Sequence, residues 1–400
     1  MNKKSISIIG LGYIGLPTAL VLSERGYLVN GFDINKIIIE KLNSGILPFS
    51  ENGLVELFEK AKVKRNFKAS SCLELADVYL IAVPTPIFFE NEIPKANLEF
   101  VEKAALSISK KVKKNDLIII ESTVSVGTTR RISEIIFEKT GFSAENINYA
   151  YCPERVLPGN IIYELKNNNR VIGGLTKKAS QKAYDFYSTF CEGELIETNS
   201  ECAELVKLSE NAFRDINIAF ANELSIICNK LGIDIFELIS IANHHPRVNI
   251  LKPGCGVGGH CIAVDPYFIV SDFPDDSLLI KSAREVNNKK TLWVKKQIIN
   301  KINSFKLKNN RRPIIGCLGL SFKPNIDDLR ESPALKIFNF LNELDLDVLA
   351  CEPNLKKHKS IKLYSLKDLN NKADIIIKLV QHKEFEELQF PDKQVYDFCK

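Results

Sequence analysis

The sequence predicts an α/β protein: two Rossmann-like, doubly wound domains joined by a long central helix. Three observations carry this expectation. Short, largely apolar runs end in polar or glycine-rich loops, the mark of buried parallel strands. The first such run, Ser5 to Ile9, enters Gly10-Leu11-Gly12-Tyr13-Ile14-Gly15 and then a helical stretch, the opening of a dinucleotide-binding βαβ unit. Between Gly193 and Gly232 the chain has neither Gly nor Pro, and Leu205, Leu208, Ala212, Ile216 and Ala219 recur at helical spacing.

Taken in order, the helix after the glycine loop spans about Leu16 to Arg25 and is closed by Gly26. A second strand, Tyr27 to Phe32, ends at Asp33. Val78 to Val83 and Leu117 to Ile120 are further buried strands. They run into Pro84-Thr85-Pro86 and Glu121-Ser122-Thr123, loops at strand C-termini where doubly wound sheets bind ligands. Asn148 to Tyr151 and Arg170 to Ile172 read as later strands of the same domain. Glu194 to Leu231 reads as one helix, or one broken near Asn199-Ser200, and Glu237 to Ile241 continues the helical region. His244 to Pro266 is irregular. Pro313 to Leu320 is a strand, followed by a helix over Pro333 to Leu344 and strands at Val348 to Cys351 and Ala373 to Leu379. The expected division is therefore a dinucleotide-binding domain at 1–193, a helical linker with an irregular cysteine loop at 194–294, and a second α/β domain at 295–400, entered through the basic stretch Lys295 to Arg312. The second domain lacks a complete Gly-x-Gly-x-x-Gly and is not expected to bind a second dinucleotide.

Composition narrows the class. With 400 residues, 45% hydrophobic and 26% charged, the chain is an ordinary globular protein of two or three domains at roughly 150 residues each. A net charge of +5 permits an anionic small ligand. It does not give the clustered basic surface that nucleic acid requires. The basic run Lys60 to Lys68 reads as a solvated helix end and loop. The ten cysteines show no Cys-x-x-Cys pair and no zinc-type cluster. Cys228 and Cys317 lie in apolar runs and read as core residues. The N-terminus lacks a cleavable signal pattern, and no apolar run is long enough to span a bilayer. The expectation is a cytoplasmic protein with reduced thiols and no membrane partner.

Gly10, Gly12 and Gly15 permit a tight turn, close approach of backbone to a pyrophosphate, and close helix–strand packing, with the helix N-terminus facing the phosphates. Asp33, 18 residues beyond Gly15, is placed to accept hydrogen bonds from ribose hydroxyls and to repel a 2′-phosphate. That favours NAD over NADP, although Lys36 nearby would tolerate a phosphate.

The second constellation surrounds Gly258-Gly259-His260-Cys261, with Asp265 four residues on. A thiolate can add to an aldehyde, and the resulting thiohemiacetal can give up hydride to leave a thioester. A dinucleotide loop and a glycine-framed cysteine in one chain therefore suggest a four-electron, alcohol-to-acid dehydrogenase. Lys207, Asn211 and Arg214 stand at i, i+4 and i+7 of the long helix and share a face. His244, His245 and His260 fall near the cysteine, and Asp265 is a further ligand on paper. No metal is nevertheless expected, because the dinucleotide already supplies the redox chemistry.

At these residues the chain resembles the UDP-glucose/GDP-mannose dehydrogenase family. The resemblance runs from Ile6 to about Pro353 through long motifs: IGLGYIGLPTA, AVPTP, ESTVSVGTT, YCPERVLPGN, KLSENAFRDINIAFANEL, HHPRVNIL, GVGGHCIAVDP and FKPNIDDLRESPA. It implies Cys261 as nucleophile, Lys207 as oxyanion stabiliser and proton carrier with Asn211 beside it, and Asp265 as the group that orients water and lysine. It implies Glu154 as base for hydrolysis and Thr123 as a water-positioning residue. Tyr13, Ile14, Asp33, Thr85 and Thr123 would line NAD with the glycine loop, and Arg330 would return to the NAD side. Arg155, Val156, Arg214, His245, Arg247 and Gly258 would hold the sugar nucleotide with Lys207 and Asn211. Phe322 and Lys323 would contact it from the C-terminal domain. Arg247 would come from a neighbouring subunit, in a homodimer built on the central helix.

In the glucose branch of the family the glutamate is usually followed by Phe-Leu and the cysteine preceded by Ser. Here Arg155-Val156 and His260 occupy those places, which favours an N-acetylated hexosamine. Glu164-Leu165, Arg170 to Gly174 and Ile262-Ala263-Val264 resemble the mannosamine side. The expected substrate is UDP-N-acetylmannosamine, with UDP-N-acetylglucosamine and UDP-glucose as alternatives. A two-electron hydroxy-acid dehydrogenase and a non-catalytic NAD sensor are the remaining readings.

Overall fold

A computed structural model describes residues 4–90, 93–386 and 388–399. By internal contacts the chain divides into two compact units, Met1–Leu208 and Ser209–Lys400.

The first unit opens with β1 (Ser5–Ile9), α1 (Gly15–Glu24) and β2 (Leu28–Phe32), the expected βαβ unit. Then come α2 (Lys36–Asn43), α3 (Leu54–Lys64), β3 (Phe67–Ser70) and β4 (Val78–Ile81). A hairpin of β5 (Ile87–Glu90) and β6 (Ile93–Ala96) leads to α4 (Glu99–Ile108), β7 (Leu117–Ile120), α5 (Thr128–Thr140) and β8 (Asn148–Tyr151). The unit continues through α6 (Ile161–Asn167), β9 (Arg170–Gly174), α7 (Lys177–Tyr187) and β10 (Leu195–Asn199). The sheet order is β10-β9-β8-β7-β4-β1-β2-β3. The six parallel strands β3-β2-β1-β4-β7-β8 have the order of a dinucleotide fold, whose switch point lies between β1 and β4.

The central strands β4 (VYLI) and β7 (LIII) are apolar and buried throughout because both faces are covered. In β4 and β7 alternate residues enter different clusters. Val78, Leu80, Leu117 and Ile119 pack with α1, α3 and α6. Tyr79, Ile81, Ile118 and Ile120 pack with α4 and α5.

One expectation fails here. Residues 195–199, read as the start of the long helix, form the parallel edge strand β10, which pairs with β9 from Leu195↔Arg170 to Asn199↔Gly174. Lack of Gly and Pro suits a strand as well as a helix, and sheet pairing decides between them. The helix itself, α8 (Ser200–Leu231), begins at the alternative break.

The second unit takes most of α8, then α9 (Ile235–Ala242) and α10 (Asp265–Asp272). Next is α11 (Leu278–Asn309), a second helix of 32 residues that the sequence reading did not anticipate. The basic stretch expected as a domain entry is the second half of this helix, and the boundary expected at 294/295 falls inside it. Its buried residues keep one stripe, with Arg284, Asn287 and Lys290 in the first half and Val294, Ile298, Ile302 and Phe305 in the second. The apolar half packs on a parallel sheet of order β12-β11-β13-β14. Its strands are β11 (Ile315–Leu318), β12 (Val348–Cys351), β13 (Ile375–Lys378) and β14 (Gln394–Asp397), with α12 (Pro333–Glu343) and α13 (Leu366–Lys372) between them. Here the switch point lies between β11 and β13.

The polar half of the α11 stripe is zipped to α8. Asp215 Oδ1 accepts from Arg284 Nη1 at 2.6 Å and from Asn287 Nδ2 at 2.8 Å. Asn222 Nδ2 donates to Asn287 Oδ1 at 2.8 Å, and Lys290 Nζ donates to Ser225 Oγ at 2.6 Å. Burial pushes the Lys290 ammonium down to about 8. Cys228 and Cys317 are buried, as expected of core residues. Among the described residues no disulfide forms, and no helix is long and apolar enough to cross a membrane.

Candidate active site

In the first unit the glycine loop leaves β1 at Gly10, whose φ of +97° belongs to the left-handed region. The three glycines do different work. A Cβ at Gly10 would lie 2.5 Å from the Ala82 carbonyl oxygen, and one at Gly15 would lie 1.9 Å from the Gly10 oxygen. A Cβ at Gly12 would meet nothing within 4 Å. Gly10 and Gly15 are therefore demanded by packing. Gly12 opens on free space, as a backbone segment meant to approach a ligand would. Tyr13 is half exposed and stacks on Phe49, ring centroids 4.3 Å apart. Asp33 Oδ2 accepts from Leu11 N at 2.8 Å and Oδ1 from Asn35 N at 2.8 Å. Each oxygen keeps a second acceptor site for ribose hydroxyls. Thr85 and Thr123, both part-buried, follow β4 and β7. Ser122 Oγ joins their two loops by donating to Val83 O at 2.7 Å. The open Gly12 edge and the fixed carboxylate of Asp33 fit a dinucleotide.

Glu154 follows β8 and is buried. Its Oε2 accepts from Arg170 Nη2 at 3.0 Å, and its Oε1 accepts from Arg155 N at 2.7 Å. Arg170 also lies 3.9 Å from Glu121 Oε1, which accepts from Tyr187 Oη at 2.7 Å. Burial pushes the Glu121 carboxyl up to about 7; the positive Arg170 opposes this and the negative Glu154 adds to it. Sequence reasoning missed this cluster. Glu154 was singled out by its motif, but its partners lie up to 66 residues apart in the chain and nothing local links them to it.

Lys207 is buried, and its position is set one turn earlier on α8. Glu204 Oε1 accepts from Thr129 N at 2.8 Å and Thr129 Oγ1 at 2.6 Å, and Oε2 accepts from Gly127 N at 2.6 Å. A carboxylate there satisfies orphan amides at the start of α5.

In the second unit Asn211 Nδ2 donates to Asp265 Oδ2 at 2.6 Å. Both residues are buried. The Cys261 carbonyl accepts from Val264 N at 2.9 Å and Asp265 N at 2.7 Å, so the turn at Cys261 leads directly into α10. Cys261 itself is part-buried. The preceding loop is pinned by Asn222 Oδ1, which accepts from Gly254 N at 2.9 Å, and by Thr291 Oγ1, which donates to Cys255 O at 2.8 Å. Gly258 and Gly259 are steric requirements. A Cβ at either would lie 2.8 Å from Phe322 atoms, and Gly259 N donates to Arg330 O at 3.0 Å.

The structure thus brings Asn211, Gly258, Cys261, Asp265 and Phe322 into one neighbourhood of the second unit. Arg214 and Lys323 are exposed. His245 and Arg247 occupy an exposed turn after α9. The Arg330 guanidinium pairs with Asp328, Nη2 to Oδ2 at 2.6 Å.

These features define a nucleotide-dependent dehydrogenase with a cysteine-bearing second unit, and comparison with known proteins specifies it. Residues 4–191 match the NAD binding domain of the UDP-glucose/GDP-mannose dehydrogenase family, 201–289 its central domain and 316–398 its UDP binding domain. The chain belongs to that family. It is 47% identical to a UDP-N-acetyl-D-mannosamine dehydrogenase of Campylobacter jejuni, over the whole of both chains. It is 45% identical to an NDP-N-acetyl-D-galactosaminuronic acid dehydrogenase of Ralstonia nicotianae, over 97% of this chain and 93% of that one. The solved UDP-N-acetyl-mannosamine dehydrogenase of S. aureus superposes with a TM-score of 0.89 at 40% identity, covering 98% of this chain and 94% of that one.

The glycine geometry yields a prediction. Gly12→Val should leave the melting temperature within about 2 °C of the unmodified protein, yet weaken NAD binding by at least about tenfold, the loss expected when ~1.4 kcal/mol of ligand contact is forfeited. Gly15→Ala should instead destabilise the fold, because its Cβ meets backbone. Thermal unfolding and NAD titration of both variants check this, and unchanged NAD affinity in Gly12→Val would count against the loop as the phosphate site.

Proposed function

We propose that the protein oxidises the C6 alcohol of UDP-N-acetylmannosamine to the carboxylate, using two NAD+ and one water and forming two NADH. The observation that carries this reading is the Cys261 turn, closed onto Asp265, which Asn211 in turn anchors. NAD supplies the hydride acceptor.

The chain's own residues do the rest. C6 loses its first hydride as Lys207 takes the alcohol proton, giving the aldehyde, and Lys207 stabilises the oxyanion, with Asn211 beside it. The Cys261 thiolate adds to the aldehyde carbon, forming a C–S bond. Loss of hydride from that thiohemiacetal leaves a thioester. Thr123 and Asp265 orient water, and Glu154 takes its proton as the C–S bond breaks and the thiol is restored. The Arg170 contact and the Arg155 N–H support this role by fixing the Glu154 carboxylate. Arg155, Val156, Arg214, His245, Gly258, Phe322 and Lys323 hold the sugar nucleotide, with Arg247 donated by a second copy.

Arg155-Val156 and the relative of C. jejuni support the mannosamine epimer. The relative of R. nicotianae supports a second reading, the galactosamine epimer.

We further infer a homodimer through α8. Phe213, Phe220 and Ile227 stand at i, i+7 and i+14 and are 67%, 53% and 45% exposed. That is a heptad stripe suited to a second copy. A thiolate nucleophile in a chain of ten cysteines also fits the reducing cytoplasm; recovery in the soluble cytoplasmic fraction on cell fractionation is the check.

Turnover of the UDP-linked N-acetylmannosamine, N-acetylgalactosamine, N-acetylglucosamine and glucose with NAD should be fastest for the first and give two NADH per sugar. Cys261→Ala should bind NAD normally and form no acid. One NADH per sugar in the unmodified enzyme, or acid formation at the normal rate by Cys261→Ala, would sink the thioester route. Turnover of none of the four sugars would favour the NAD sensor.

Phe220→Glu should shift the sedimentation coefficient from dimer to monomer at micromolar concentration. An unmodified chain that sediments as a monomer contradicts the dimer.

A further inference from the structure

A buried polar cluster lies at the switch point of the second sheet, between the loops that leave β11 and β13. His382, just beyond β13, has no solvent exposure, and neither has its partner carboxylate Glu352. Asn325 N donates to His382 Nδ1 at 2.9 Å. A backbone N–H can only donate, so Nδ1 is an acceptor and the ring proton sits on Nε2. Nε2 then donates to Glu352 Oε2 at 3.1 Å. Asn354 Nδ2 approaches the same Nδ1 at 3.0 Å. Glu352 Oε2 also accepts from Leu320 N at 2.7 Å and Ser321 N at 3.0 Å. Burial alone would raise the Glu352 carboxyl. The hydrogen bonds from His382, Leu320 and Ser321 outweigh it and hold the group below the usual carboxylate range.

This cluster fixes both sides of Phe322. Glu352 holds Leu320 and Ser321 before it, and His382 holds Asn325 after it. Phe322 in turn is the wall on which Gly258 and Gly259 rest, so close that a Cβ added to either would lie 2.8 Å from its atoms. The return limb of the same loop accepts from Gly259 N through Arg330 O at 3.0 Å. A continuous chain of short contacts therefore runs from His382 through the Phe322 loop to the turn that presents Cys261.

We propose that His382, with Glu352, is a positioning residue for the aldehyde-capturing thiol. It acts by locking the Ser321–Asn325 limb against which the Cys261 turn is seated. The proposal rests on the four-electron reading for its kinetic readout and on the geometry of the second unit for its substance. A slackened limb leaves alcohol oxidation possible but delays capture of the aldehyde by Cys261, so aldehyde escapes.

The test compares His382→Gln, which keeps a donor near Nε2 but loses the Nδ1 acceptor, with His382→Asn, which keeps an acceptor near Nδ1. With UDP-N-acetylmannosamine, His382→Gln should release aldehyde that hydroxylamine traps as an oxime. Its NADH yield should fall from two towards one per sugar, acid formation should slow about tenfold, and the KM for NAD should stay within twofold. His382→Asn should recover much of the stoichiometry. Folded variants that still give two NADH per sugar at the normal rate overturn the proposal. If His382→Gln does not fold, Asn354→Ala, which removes one donor to Nδ1, must show the same leak in weaker form, and its absence overturns the proposal equally. Calorimetric titration with UDP separates this proposal from the functional reading. An unmodified protein that binds UDP but oxidises no nucleotide sugar defeats the functional reading alone; the positioning role then stands if His382→Gln, still folded, changes the rate at which iodoacetamide alkylates Cys261 and falls if that rate is unchanged.

Discussion

One interaction organises both units: a carboxylate just after the second strand bonded to the backbone N–H that follows the first strand's glycine. In the first unit Gly10 N donates to Phe32 O at 2.8 Å, and Leu11 N donates to Asp33 Oδ2 at 2.8 Å. In the second, Gly319 N donates to Cys351 O at 2.9 Å, and Leu320 N donates to Glu352 Oε2 at 2.7 Å. Gly10 and Gly319 share positive φ values of 97° and 87°, and each lies against the next strand of its sheet, at Ala82 and Val380. The carboxylate supplies charge-assisted bonds to amides that the tight turn would leave unpaired. Each glycine is required because its neighbour stands where a Cβ would go.

The two copies of this device then diverge. Asp33 keeps acceptor capacity on a part-exposed carboxylate beyond its bonds to Leu11 N and Asn35 N. Glu352 is sealed beneath His382 and spends its oxygens on protein donors. The second unit therefore keeps the architecture of a nucleotide fold and spends this carboxylate on the backbone of the loop after β11, through Leu320 N and Ser321 N. The α8–α11 network complements this from the other side, since Asn222 joins Asn287 to the Gly254 backbone.

Much of this was legible in the sequence. The central strands β1, β4 and β7 were visible as short apolar runs because both faces are buried, whereas β3, with Lys68 exposed within it, was not read as a strand. The tight turn at Gly10 and the close packing at Gly15 followed from the glycine spacing, and the irregular Cys261 segment from its glycine frame. The β10 strand was hidden because Leu195 to Asn199 carries no breaker and its pairing partner lies 25 residues away. The second half of α11 was hidden because its lysines masked the helical recurrence of Val294, Ile298, Ile302 and Phe305. The Glu121–Arg170–Glu154 cluster and the Glu352–His382 pair could not be read at all. Each residue is ordinary in its own segment, and only folding brings it to its partners.

The central claim is that the thiol of Cys261 carries the sugar as a thioester between the second hydride loss and hydrolysis. Acid quenching within a single turnover, followed by digestion and peptide mass spectrometry, tests it directly. The account predicts a transient adduct of the oxidised UDP-sugar on the peptide containing Cys261. It should form with the second equivalent of NADH and vanish as the acid appears. Acid that accumulates through two equivalents of NADH with that peptide unmodified throughout, or an adduct on another cysteine, would contradict it.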